Sequence, residues 1–133
     1  MTITLRRESH PKGCYDTEFS YEDYKETFTL SDADLDSGAG DLEEWRVVKY
    51  SKIPAVIKLL NSRYGNFTGT YIENQKKFFD DIKNKEVKDL FPYILNYCEN
   101  HNGSMLSFEK LLDENNIDYS HSAYRSGSWD WFL

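Results

Sequence analysis

Cysteine is scarce in this chain, and long apolar runs are absent. Only Cys14 and Cys98 occur in 133 residues, which is too few for a disulfide framework and typical of a reducing compartment. No stretch approaches the roughly eighteen apolar residues of a membrane span. Residues 1–13 contain no apolar run of about seven residues, so we expect no secretory signal. These absences predict a cytoplasmic protein with no membrane partner.

Basic residues are almost missing from residues 15–45, which we call the acidic segment. It contains one base, Lys25, and six aromatic residues, and such an aromatic content is not that of a disordered acidic tail. Because the net charge of the whole chain is −7, this segment is its source and predicts a folded, negatively charged surface. Its eleven acids are Asp16, Glu18, Glu22, Asp23, Glu26, Asp32, Asp34, Asp36, Asp41, Glu43 and Glu44.

The negative charge bears on the class of partner. Lys and Arg contacts to phosphate supply most of the affinity in nucleic-acid complexes, so we expect no nucleic-acid ligand. Gly38 and Gly40 lack the third glycine of a dinucleotide loop and lie among acids that would repel phosphate. The charge favours a basic protein as partner. The alternative is that the charge serves solubility alone.

Hydrophobic periodicity predicts strands in the first fifty residues. Residues 2–7 and 14–21 alternate between apolar and polar side chains, which indicates a β-hairpin. Residues 44–50 are rich in β-branched and aromatic side chains and predict another short strand. Residues 21–30 fit a helix or a strand, and residues 31–40, with small side chains and three Asp, predict a loop.

Four helices are predicted after residue 50. The first follows a Ser51 cap and ends at Gly65, and the second follows a Thr70 cap and runs to about residue 84. The third covers residues 87–98, with Pro92 either kinking it or marking a start near residue 89. The fourth opens at Ser107 and is ended by Asn115 and Asn116.

The carboxyl-terminal residues 128–133 predict a short strand with Trp129, Trp131 and Leu133 on one side. Such an apolar end is expected in the core, and the alternative is an interaction site bordered by Arg125. The predicted fold class is therefore α+β: a small N-terminal antiparallel sheet packed against about four helices, with a short C-terminal strand. We expect residues 1–133 to form a single domain.

One spacing resembles a calcium-binding loop of the EF-hand kind. Asp32, Asp34 and Asp36 occupy positions 1, 3 and 5, and Glu43 falls at position 12, where such loops carry oxygen ligands. Position 6, which normally needs glycine for a sharp turn, is Ser37. The spacing leaves open a calcium site at these four residues, against a solvated acidic loop as the alternative.

Zinc and nucleophile chemistry have weaker support. The residue types that bind zinc are present in His10, Cys14, Cys98 and His101. However, Cys98 lies on the apolar face of a predicted helix, and the spacing of the four residues is not that of a compact zinc module. Neither cysteine lies in a nucleophile motif. We therefore expect no catalytic residue, no metal and no cofactor.

The composition favours a non-enzymatic inhibitor, most concretely an immunity protein that occludes the active site of a basic bacterial toxin such as a nuclease. The alternatives are a phage-encoded DNA mimic that blocks a restriction or CRISPR effector, a calcium-binding module using residues 32–43, and a small enzyme of unknown reaction. The sequence leaves the oligomeric state open. The expected partner-binding residues are Asp16, Glu18, Tyr21, Glu22, Asp23, Tyr24, Glu26, Asp41, Glu43, Glu44 and Trp45.

Overall fold

An antiparallel sheet whose six strands follow one another in chain order forms the frame of the molecule. The computed structural model describes residues 1–11, 13–36, 40–100, 105–125 and 131–132. The strands are β1 (Thr2–His10), β2 (Gly13–Glu22), β3 (Thr27–Asp36), β4 (Gly40–Lys49), β5 (Ser120–Arg125) and β6 (Trp131–Phe132). Between β4 and β5 lie helices α1 (Ile53–Arg63), α2 (Glu73–Asp81), α3 (Lys85–Asn100) and α4 (Met105–Glu114). The α+β prediction is confirmed.

The register of the strands places the apolar residues on one face. Phe19 of β2 pairs with Leu30 of β3, and Phe28 of β3 pairs with Val48 of β4. Residues directly opposite each other in a ladder share a face, and all four of these side chains are fully buried. This face of the sheet therefore carries the core.

All four helices contribute buried side chains to the same core cluster as that face. Phe91 of α3 lies at its centre, with its ring centroid 5.8 Å from that of Phe19 and 5.3 Å from that of Phe78 of α2. The helical layer thus packs on one face of the sheet. Within the described ranges, no helix is both long and apolar enough to cross a membrane.

The loop predicted for residues 31–40 is wrong for residues 31–36 and for Gly40, which belong to strands. β3 continues to Asp36 and β4 starts at Gly40, and the two strands pair through Asp34 opposite Leu42 and Leu35 opposite Asp41. Aspartate has low strand propensity, but β3 is a central strand with a hydrogen-bonded neighbour on each side, and this context outweighs propensity. Residues 37–39 between the strands, including Ser37, lie outside the described residues.

Two helix starts also differ from the predictions. Ser51 belongs to a short 3-10 turn before α1, whose N-cap is Lys52 and has no side-chain cap. Thr70 does not cap α2; instead the backbone N–H of Ile72 donates to Oε1 of Gln75 at 3.2 Å. The two helices themselves are confirmed. A helix is predicted by the apolar stripe that it buries, whereas its first residue also depends on the direction from which the preceding loop enters it.

Other helix signals agree with the structure. Gly65 and Asn116 adopt the left-handed φ values of 77° and 54° that were expected after α1 and α4. α3 begins at Lys85 and contains Pro92, and the side chain of Asn84 accepts a hydrogen bond from the N–H of Val87 at 3.1 Å. α4 begins two residues before the predicted Ser107.

The C-terminal strand prediction is confirmed where the chain is described. β6 pairs with β5 through Phe132 opposite Ala123 and Trp131 opposite Tyr124. Trp129, Leu133 and the side chains of Trp131 and Arg125, on which the burial and rim predictions depend, lie outside the described residues.

Candidate functional site

The face of the sheet opposite to the helices is the main candidate site, and we call it the open face. Successive strand residues point to opposite faces, so the neighbours of the core residues lie here. Glu18 of β2, Ser31 of β3, Trp45 of β4 and Ser122 of β5 form one directly paired row across it. All four side chains are partly exposed. Because the described helices share the core on the other face, none of them packs over this row.

Acidic residues dominate the open face. Next to the first row runs a second, in which Asp16 pairs with Ala33 and Ala33 with Glu43. Asp16 is neutralised by Arg7 of β1, whose Nε and NH2 donate to its two carboxylate oxygens at 2.7 Å each. This bidentate pair lowers the pKa of Asp16 below its usual value, against the opposing effect of burial.

Glu18 has the opposite electrostatic environment. Burial raises the pKa of its carboxyl group, and the negative charges of Asp16 and Glu43 raise it further, while Arg7 lowers it. Ionisation of Glu18 therefore costs more free energy in the folded protein than in an isolated carboxyl group. A positive charge brought to the open face would remove this repulsion.

Aromatic side chains accompany these acids. Trp45 occupies a central strand between two serines, so its register neighbours on both sides are small. Tyr124 of β5 lies opposite Glu43 and is also partly exposed. Sequence reasoning missed Tyr124 because it lies far from the acidic segment along the chain; only the pairing of β4 with β5 brings it to this surface.

The β2–β3 turn, residues 22–26, is a second exposed acidic element. All five residues are exposed, and the side chain of Tyr24 is 80% exposed. Tyr50 makes two hydrogen bonds to the turn. Its hydroxyl donates to Oδ1 of Asp23 and its backbone N–H donates to the carbonyl oxygen of Glu26, both at 2.8 Å. A hollow of about 430 Å³ lies beside the turn, with Asp81 among its lining residues.

The predicted partner-binding residues thus divide into groups. The open face carries Glu18, Asp41, Glu43 and Trp45, and the β2–β3 turn carries Glu22, Asp23, Tyr24 and Glu26. Asp16 lies on the same side of the sheet as the open face, but it is 4% exposed and bonded to Arg7, so it offers a partner little surface.

Two predicted partner-binding residues do not belong to either surface. Tyr21 is 5% exposed and its ring packs edge-on against Phe78 at 5.8 Å. Glu44 lies on the helix-bearing face, where Arg46 donates to its carboxylate. Both corrections follow from strand periodicity, which sends alternate residues of one acidic sequence to opposite faces.

Arg46 forms a buried ion network at the edge of the core. Its side chain is 1% exposed and donates to Oδ1 of Asp32 and to Oε1 of Glu109, each at 2.6 Å, besides Glu44. Burial raises the pKa of Asp32, and Arg46 opposes that rise. The network connects α4 to β3 and β4, so Arg46 is neutralised by two residues of the acidic segment and by Glu109.

One group of metal-ligand types converges within the described part of the chain. Nε2 of His121 lies 3.7 Å from Oε2 of Glu44 and 3.7 Å from Oε1 of Glu109. The same two oxygens accept hydrogen bonds from Arg46, so a cation held there would face the guanidinium group. The group is better described as part of the ion network than as a metal centre.

Three of the calcium ligands predicted from spacing have described side chains, and these three do not converge. The side chain of Asp36, the fourth, lies outside the described residues. Asp32 and Asp34 lie on the helix-bearing face, because they pair with Glu44 and Leu42, whereas Glu43 pairs with Ala33 on the open face. A ligand cage needs its oxygens around one point. The strand pairing therefore corrects the calcium hypothesis.

The zinc set is also divided. Cys98 is buried in α3, and burial raises the pKa of its thiol to about 12. Cys14 pairs with Ser9 and Leu35 on β1 and β3, on the open face. The sheet lies between the two thiols, so one ion cannot bind both. The side chains of His10 and His101 lie outside the described residues.

Comparisons with known proteins add no family: no family model, curated protein or solved structure matches this chain.

Proposed function

We propose that this protein is a non-enzymatic inhibitor that binds a basic protein through its open face, as an immunity protein neutralises a cognate toxin such as a nuclease. One observation carries the proposal. Glu18 and Glu43 lie with the partly exposed Trp45 on a sheet face that the described helices leave uncovered. The negative charges of the two glutamates repel each other.

The physical case rests on complementary charge. Nuclease active-site grooves are positive because they bind phosphate, and opposite charges steer two proteins together and raise the association rate. Burial and the neighbouring acids raise the cost of ionising Glu18 in the free protein, so a basic partner that offsets this cost would gain affinity. Trp45 supplies the large, rigid contact area that interface centres use.

The test is affinity capture from the native host at low salt with three baits. The first is the wild type, the second is Glu18→Lys/Glu43→Lys on the open face, and the third is Asp89→Lys/Glu99→Lys, which makes the same charge change on exposed positions of α3. We expect the first and third baits to retain one basic protein that the second releases.

The retained protein is then purified and its activity measured with and without the inhibitor. We expect one-to-one binding, loss of the partner's activity, and an association rate that falls steeply with salt. Equal retention by all three baits, or binding that leaves the partner fully active, would refute the proposed function.

A further inference from the structure

Tyr24 is the most exposed large hydrophobic residue in the described part of the chain, at 80%. It lies in the middle of the β2–β3 turn, with Glu22, Asp23 and Glu26 close to it in sequence and Lys25 as the single base. A tyrosine offers about 150–250 Å² for burial. In the free protein this ring adds nothing to the core, so its contact area remains for a partner.

The turn is ordered before any partner arrives. The N–H groups of Lys25 and Glu26 donate to the carbonyl oxygens of Glu22 and Asp23, each at 3.2 Å. Tyr50, itself 7% exposed, adds one hydrogen bond from its hydroxyl and one from its backbone. Binding through a rigid turn avoids the entropy loss that ordering a flexible loop would require.

Glu26 adopts a left-handed φ of 52°. Glycine or asparagine is usual at such a position, and another residue there costs about 1 kcal/mol. The chain thus carries a third acid on this turn at a position where glycine would make the fold more stable. Residues that favour activity over stability are typical of functional surfaces.

We propose that the β2–β3 turn enters the active-site cleft of the basic partner, with Tyr24 as the buried anchor and Glu22, Asp23 and Glu26 facing the cationic groups of the cleft. This inference rests on the proposed function and names the element that blocks the active site. A sheet face is too broad to enter a concave groove, whereas an exposed turn of five residues fits inside one. The open face then binds the rim of the cleft.

The experiment uses the full chain and the partner captured by the wild type. Tyr24→Ala is compared with Tyr15→Ala, a matched control that removes an exposed tyrosine from the end of β2 farther from the turn. We expect Tyr24→Ala to leave the melting temperature unchanged and to weaken binding about 30-fold, the size of an interface hot spot. Tyr15→Ala should bind like the wild type.

Glu26→Gly separates function from folding. We expect it to raise the melting temperature, because it removes the left-handed strain, and to weaken binding several-fold, because it removes a charge from the cleft. With Tyr24→Ala in excess, the partner should stay bound through the open face but regain activity toward its substrate.

The outcomes distinguish the two proposals. If Tyr24→Ala and Glu26→Gly inhibit as well as the wild type, or if Tyr15→Ala weakens binding as much as Tyr24→Ala, the turn does not enter the cleft and only this inference fails. If the Glu18→Lys/Glu43→Lys bait retains the same proteins as the wild type, the proposed function fails and the inference fails with it.

Discussion

Glu18 and Arg46 show two ways in which this sheet holds a charge. Arg46 is buried with three carboxylates bonded to it, so its charge is compensated inside the fold. Glu18 is partly buried beside other acids, and burial and charge both disfavour its ionised form. The charge of Arg46 thus holds α4 against β3 and β4. The charge of Glu18 lowers the stability of the fold and is available to bind a partner.

Glu18→Gln should therefore raise the melting temperature at neutral pH. A carboxyl group whose pKa is raised in the folded state destabilises the fold when ionised, and this effect disappears as pH falls and the group is protonated. We expect the stability difference between variant and wild type to be largest at pH 7 and to vanish as pH falls through the pKa range of the carboxyl group. Thermal denaturation at a series of pH values measures it.

Glu22→Gln is the matched control for that measurement. The pKa of Glu22 is lowered, first by a hydrogen bond with Tyr24 and then by the charge of Lys25. Removing its charge should not raise the melting temperature. Equal stabilisation by both substitutions would show that net charge alone is responsible.

Arg46→Met should be strongly destabilising. The substitution leaves three partly buried carboxylates without their common cation, and breaking a buried ion network in this way costs about 3–5 kcal/mol. Lys76→Met, which removes an ion pair with Asp80 in which both side chains are exposed, should cost about 1 kcal/mol or less. Urea denaturation of both variants compares them, and similar losses would contradict the structural role of the network.

At the scale of elements, periodicity predicted most strands and every helix, and it failed where local propensity opposed pairing. The Asp-rich residues 31–36 form a strand because β3 has a partner on each side. Ser51 and Thr70 have the composition of helix caps, but α1 begins after a 3-10 turn and α2 uses Gln75. The residue at which each of these helices begins depends on the path of the loop before it, which the sequence pattern does not show.

Gly65→Ala tests the end of α1. Gly65 has a φ of 77° with open space around its missing Cβ, so alanine would meet backbone strain and no steric clash. We expect a loss of about 1 kcal/mol in the free energy of unfolding. Gly65→Asn should lose less, since asparagine tolerates the left-handed conformation. Thermal denaturation of both variants checks the order, and equal losses would argue against strain as the cause.

At the scale of the whole molecule, the sequence predicted that an acidic surface exists but not which acids share it. Whether a residue of the acidic segment faces the core or the solvent depends on strand parity, as Tyr21 and Glu44 show. Tyr124 reaches the open face only through strand pairing, and Glu109 and His121 reach Glu44 only through the packing of α4 and β5. No spacing in the sequence encodes these approaches.

Phe91→Ala tests whether sheet and helices unfold together, as the single-domain prediction requires. The ring is fully buried between aromatic residues of β2 and α2, and its loss should cost about 3–5 kcal/mol. Far-ultraviolet and near-ultraviolet circular dichroism should follow one shared transition. Tyr24→Ala, which removes an exposed ring, should leave that transition in place. Separate transitions would show independent units.

The pairing of β4 with β5 has a consequence for synthesis of the chain. β1 to β4 emerge first and can pair with their sequence neighbours, but β4 meets β5 only after all four helices have been made. Until then the β4 ladder has an open edge, which is a template for intermolecular strand pairing. A nascent chain stalled before Ser120 should therefore aggregate through Gly40–Lys49, and β5 should protect the newly made protein by covering this edge.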